Sequence, residues 1–156
     1  MSTIIKEKWI KTFEEQQVTD AMIRCNGKEI PIHKKTMAII SPVFKAMFEH
    51  ELEEKQNGFV KIEDCDEKTV ERAIMFIKNG DDEFINKLSY DDVKELFVFA
   101  DKYDIELLKE VCVNGFKSRL TLKNSKDALE FAELFKLDEN IIQMIKKYQK
   151  LLNDVS

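Results

Sequence analysis

The chain has 156 residues, 44% of them hydrophobic and 35% charged, and a formal net charge of −5. Those proportions suit one compact domain with a substantial core, not a disordered tail. Lysine and arginine are spread through the chain without a basic block, which argues against nucleic acid as the main partner, because phosphate neutralisation needs concentrated positive charge.

Residues 3–16 have the spacing of a short amphipathic helix, with Ile5, Trp9 and Phe13 on one stripe. Three readings are open for it: folding onto its own core, forming a dimer seam, or lying on a membrane surface. The mixed signs of Lys6, Glu7, Lys8, Lys11, Glu14 and Glu15 speak against the last. They also break any signal peptide, and no apolar run approaches the roughly 18 residues of a membrane span.

The clearest local signal is "DAMIRCNGKEIPIH". Asn26-Gly27 suits the two-residue type I′ turn of a β-hairpin. That turn sets Cys25 opposite Lys28, Arg24 opposite Glu29, Ile23 opposite Ile30 and Ala21 opposite Ile32. One face is then apolar and the other carries an Arg24–Glu29 pair. Pro31 lacks a donor, so its strand belongs at an edge or a ladder gap.

Two short helices follow, in "HKKTMAIIS" and "SPVFKAMFEH", with Ser41 as N-cap and Pro42 at the first helical position. Met37, Ile40, Val43, Phe44, Met47 and Phe48 are expected inside. After the acidic stretch, "GFVKIED" reads as a strand with Val60 and Ile62 on one face. Five helices complete the chain. Asp66 caps the first and Asn79-Gly80 ends it. Ser89 and Asp92 form a capping box for the second. Asp104 is expected to cap the third, which carries Leu108, Val111, Cys112 and Phe116. Residues 125–136 bear Ala128, Leu129 and Ala132, and residues 139–152 bear Ile141, Ile145, Tyr148 and Leu152. Early strands and later helices make the class α+β.

The residues that could carry chemistry are few. The two histidines, His33 and His50, have no zinc-ligand spacing, and His33 suits a structural hydrogen bond. The three cysteines, Cys25, Cys65 and Cys112, are odd in number and far apart, which implies reduced thiols in the cytosol or nucleus. No nucleophile elbow, phosphate loop or dinucleotide fingerprint occurs, so no catalysis, metal or cofactor is expected. Apolar exposure remains. Trp9, and Leu52 within "AMFEHELEEKQNG", are the residues best suited to protein–protein contact.

The stretch "VTDAMIRCNGKEIPIHKKTMAIISPVFKAMFEHELEE" resembles the core of the BTB/POZ domain, and "VERAIMFIKNGD" and "LFVFADKYDIELLKEVC" continue the likeness. It is most similar to the MATH–BTB group typified by speckle-type POZ protein. The resemblance implies a BTB/POZ domain over residues 3–120 and a 3-box-like helix pair over 121–152. It implies a homodimer and an adaptor that binds the N-terminal domain of cullin-3 in a ubiquitin ligase, in the cytoplasm or nucleus. The substrate would be read by a separate domain, and no MATH, kelch or zinc-finger segment is present. A BTB module that only oligomerises a transcriptional or scaffold protein is the alternative. The φ-x-Glu cullin motif falls on Leu52, Glu53 and Glu54, with Met47, Phe48 and His50 in support. The dimer seam falls on Ile5, Trp9, Thr12 and Thr36, with Phe13 able to compensate for the two threonines. Asp20 and Lys34 match a charged pair, whose ordinary reading is a structural ion pair. The family's usual Tyr-Thr-Gly is here Lys78-Asn79-Gly80.

Overall fold

A computed structural model describes residues 19–50, 58–80 and 82–155. The expected first helix lies outside them. Strands β1 (Ala21–Cys25) and β2 (Lys28–Ile32) form the hairpin in the expected register. Both turn residues are left-handed, Asn26 at φ 48° and Gly27 at φ 86°, as a type I′ turn requires. Ala21, Ile23, Cys25, Ile30 and Ile32 are buried. On the outer face Arg24 Nε reaches Glu29 Oε1 at 2.8 Å, and its guanidinium lies 4.0 Å above the Phe59 ring.

β3 (Phe59–Ile62) runs parallel to β1 on the side away from β2, so the sheet order is β2-β1-β3. A parallel neighbour needs a crossover, and helices α1 (Lys34–Ile40) and α2 (Pro42–His50) lie within it. Met22 N–H bonds to Gly58 C=O at 2.9 Å, so the main chain of Met22 faces β3. Pro31 stands opposite Met22. Its donorless nitrogen therefore faces the open edge, where the ladder loses nothing.

Met37 and Phe44 are buried, but Ile40, Val43, Met47 and Phe48 are only half-buried, so the expected inward face of α1 and α2 is narrower than the sequence implied. His33 also differs from expectation. Its Nδ1 is buried without a hydrogen-bond partner among the described residues. Asp20 Oδ1 accepts from the N–H of Lys34 at 2.8 Å, one of the donors that the first turn of α1 leaves without an intrahelical acceptor.

Helix α3 (Glu67–Asn79) starts on Asp66, whose carboxylate accepts from Lys68 N–H at 3.0 Å, and stops at Gly80 with φ 61°. A 3-10 turn (Glu83–Lys87) leads to α4 (Tyr90–Lys102). Ser89 Oγ accepts from Asp92 N–H at 3.0 Å while Asp92 Oδ2 accepts from Ser89 N–H at 3.2 Å, the reciprocal capping box. Asp104 does not cap the next helix. With φ 51° it is the left-handed residue that ends α4, and α5 (Glu106–Ser118) begins after Ile105.

The chain divides into two units, the second being Asn114–Ser156. Within it α6 (Ser125–Leu134) and α7 (Glu139–Val155) pack through Ala128, Phe131, Ala132, Ile141 and Ile145. Phe131, absent from the expected stripe, lies between Phe116 and Phe135 with ring centroids 5.4 and 4.7 Å away. Gln149 Nε2 donates to Ser125 C=O at 3.2 Å. The side chain of Leu152 lies outside the described residues.

Arg72 Nη1 meets Asp92 Oδ1 at 2.7 Å and ties α3 to α4. The Arg72 guanidinium, helped by Ser89, holds the Asp92 carboxyl below its ordinary value of 3.8. This stabilisation is full above that ordinary value and is lost as pH falls through the lowered folded value. Asp92→Asn is therefore expected to cost about 0.5–1 kcal/mol near pH 7, allowing for solvent screening. Urea denaturation of both proteins should show the gap narrowing as pH falls below the ordinary value of 3.8, and a gap that acid leaves unchanged would contradict the pairing.

Candidate protein-interaction site at the end of the second helix

Ser41 joins α1 to α2 and is fully buried. Its backbone is extended (φ −128°, ψ 115°), so the chain turns there instead of continuing one helix. All its polar groups are used. The N–H donates to Met37 C=O at 2.9 Å and the C=O accepts from Lys45 N–H at 3.0 Å. The hydroxyl oxygen accepts from Phe44 N–H at 3.0 Å, and its hydrogen goes to the C=O of Tyr103 at the end of α4. A serine can do both because a hydroxyl is donor and acceptor together.

Aromatic rings extend this joint outward. Phe99 and Tyr103 lie 4.6 Å apart on successive turns. Tyr103 and Phe44 stack at 4.6 Å with planes 8° apart, and Phe44 and Phe48 follow at 6.3 Å and 21°. Burial pushes the Tyr103 phenol up, which keeps the stacked ring neutral. The ladder runs from the fully buried Phe44 to the half-buried Phe48, with Lys34 Nζ 5.8 Å from the Phe48 ring centroid. The first turn of α2 is thus held against the end of α4 by hydrogen bonding and ring stacking, and Phe48 and Met47 further along the helix are left partly open.

Of the cullin-contact set expected from sequence, Met47 and Phe48 stand half-exposed on α2, and His50 is the last residue of that helix. The side chain of His50, and all of Leu52 and Glu54, lie outside the described residues. So do Ile5, Trp9, Thr12 and Phe13 of the dimer set. Thr36 is described and is only 6% exposed in the single chain. On the same helix Ile39, which the sequence did not single out, is 52% exposed. Asp20 and Lys34 meet, but through the Lys34 main-chain N–H. Tyr103 was also missed, although its spacing of four from Phe99 is the helical signal for a ring pair.

The thiols do not offer a nucleophile. Burial pushes Cys112 up to about 12 and Cys65 up to about 11, and it raises Cys25, whose S–H donates to Cys65 C=O at 3.3 Å. Among the described residues no group of three or more His, Cys, Asp or Glu is placed to hold a metal ion. No described helix is long and apolar enough to cross a membrane. What the arrangement offers is a helix whose first turn is anchored to α4 and whose later residues Met47 and Phe48 are half-exposed.

Ser41→Ala removes the cap of α2 and leaves the Tyr103 carbonyl buried without its donor. The expected loss is about 2–3 kcal/mol, read as a lower urea midpoint with an unchanged m-value. A loss below the scale of a single surface cap would show that the joint does not hold the two helices.

The sequence model of the BTB/POZ domain matches residues 10–120. The fold is similar to the BTB domain of human gigaxonin, with a TM-score of 0.56 and 19% identity over 73% of this chain and 92% of that one. It is also similar to the BTB domain of zebrafish PATZ1, with a TM-score of 0.54 and 14% identity over 76% and 98% of the two chains. The match over residues 10–120, on a three-stranded sheet flanked by helices, places this chain in the BTB/POZ family, a family of protein-interaction modules.

Proposed function

We propose that this chain is a dimeric BTB adaptor of the MATH–BTB type that recruits cullin-3 to a ubiquitin ligase in the cytoplasm or nucleus. Ubiquitin transfer belongs to the assembled ligase, and the substrate is read by a separate domain. The observation that carries this reading is the aromatic ladder. It links the half-buried Phe48 of α2 through Phe44 to Tyr103, and in the sequence Leu52-Glu53-Glu54 follows shortly after His50. A leucine two residues from a glutamate suits a groove that takes leucine into a pocket and glutamate onto a polar rim. Dimerisation is supported by the apolar Ile39 exposed on α1, the helix that carries Thr36. The pair α6 and α7 acts in this reading as a 3-box that widens the cullin surface.

Calorimetry with a cullin-3 N-terminal domain should show binding that Leu52→Asp and Glu54→Lys each weaken by about tenfold or more. Equal affinity of wild type and both variants sinks the cullin reading and leaves an oligomerisation module. Light scattering should give twice the 18.3 kDa chain mass. Trp9→Lys should move it toward monomer, and a monomeric wild type at micromolar concentration would falsify the seam.

A further inference from the structure

An open groove of about 520 Å³ lies between the edge strand β2 and helix α3. Its apolar lining is the buried Ile30 of β2 and Ile74 of α3 together with Met75, which is 41% exposed. Lys68, Glu71, Arg72 and Lys78 surround the apolar centre at helical spacing, so one face of α3 carries them all. Two of these charges are already matched, Arg72 by Asp92 and Glu71 by Lys28, each at 2.7 Å. Lys68 and Lys78 have no carboxylate partner among the described residues. Partial burial lowers the Lys78 ammonium with nothing to offset it. Two cations with no carboxylate partner among the described residues therefore share this groove with an exposed thioether, on a chain whose net charge is −5.

We propose that this groove docks a short acidic segment of a partner protein, with an apolar residue against Met75 and Ile30 and carboxylates on Lys68 and Lys78. The two lysines are ten residues apart, about 15 Å along the helix, which four or five extended residues span. Side chains carry the docking, because Pro31 removes an outward donor from the edge that an added strand would need. A nucleic acid is the poorer fit, since Glu71 interrupts the cations and the chain as a whole is acidic.

The test uses the full chain and a fluorescein-labelled peptide, Glu-Glu-Phe-Glu-Glu, read by anisotropy. Wild type should bind, and Lys68→Glu with Lys78→Glu should weaken binding by about tenfold. Met75→Ser should weaken it without altering the circular dichroism spectrum. Methyl shifts on binding should map to Ile30, Ile74 and Met75, and Leu52→Asp should leave the affinity unchanged. Undiminished binding by the double variant overturns the proposal. So does equal binding of a Lys-Lys-Phe-Lys-Lys peptide, displacement by oligothymidylate at matched charge, or shifts confined to the end of α2.

Discussion

The buried hydroxyl of Ser41 is the interaction on which the first unit depends. It stands between the N–H of Phe44 and the C=O of Tyr103, so it starts one helix and binds the end of another. Both partners are main-chain groups that burial would otherwise leave unsatisfied, a cost of about 1–3 kcal/mol for each. Because the joint is made, α1 turns into α2 and Phe44 comes to lie flat on Tyr103. The ring ladder then carries this order to the half-exposed Phe48. The placement of the half-exposed Phe48 thus follows from core hydrogen bonding at the start of the same helix.

Most ion pairs of the molecule lie at the surface and contribute little each. Arg24–Glu29, Lys28–Glu71 and Lys102–Asp64 all have substantially exposed partners. Lys109 meets three carboxylates, those of Asp101, Asp104 and Glu106, around the turn from α4 to α5. Their effect is to match charges that would otherwise repel or attract partners. Lys68 and Lys78, without a carboxylate partner among the described residues, line a groove together with the exposed Met75. The thiols are raised by burial, which keeps them in the protonated, weakly nucleophilic form.

The hairpin and most helix ends were legible because their causes are local. Asn26-Gly27 dictates a left-handed turn, the turn dictates the register, and the register puts Arg24 beside Glu29. Asp66, Gly80 and the Ser89–Asp92 box each act within a few residues of themselves. Asp104 misled because an aspartate that tolerates φ 51° can end one helix as readily as it caps the next. The structural hydrogen bond expected of His33 is not made by its Nδ1 among the described residues, and the Asp20 carboxylate instead meets the main chain of the next residue, Lys34. The periodicity of α6 pointed to Ala128, Leu129 and Ala132 but passed over Phe131, whose place depends on rings from Phe116 and Phe135.

By itself the sequence determined the α+β class, the hairpin and its register, the helix order, and a resemblance long enough to mark the BTB/POZ family. These follow from turn chemistry, caps and apolar spacing, which neighbouring residues decide among themselves. Only the tertiary structure decided that β3 lies parallel to β1, that Pro31 faces an open edge, that Ser41 bonds to Tyr103 and that Ile39 is left exposed. It also brought Ile30 of β2 beside Met75 of α3 to make a groove. Each of these joins residues far apart in the chain. Their proximity is fixed by which apolar faces are buried together, and no local spacing records that choice.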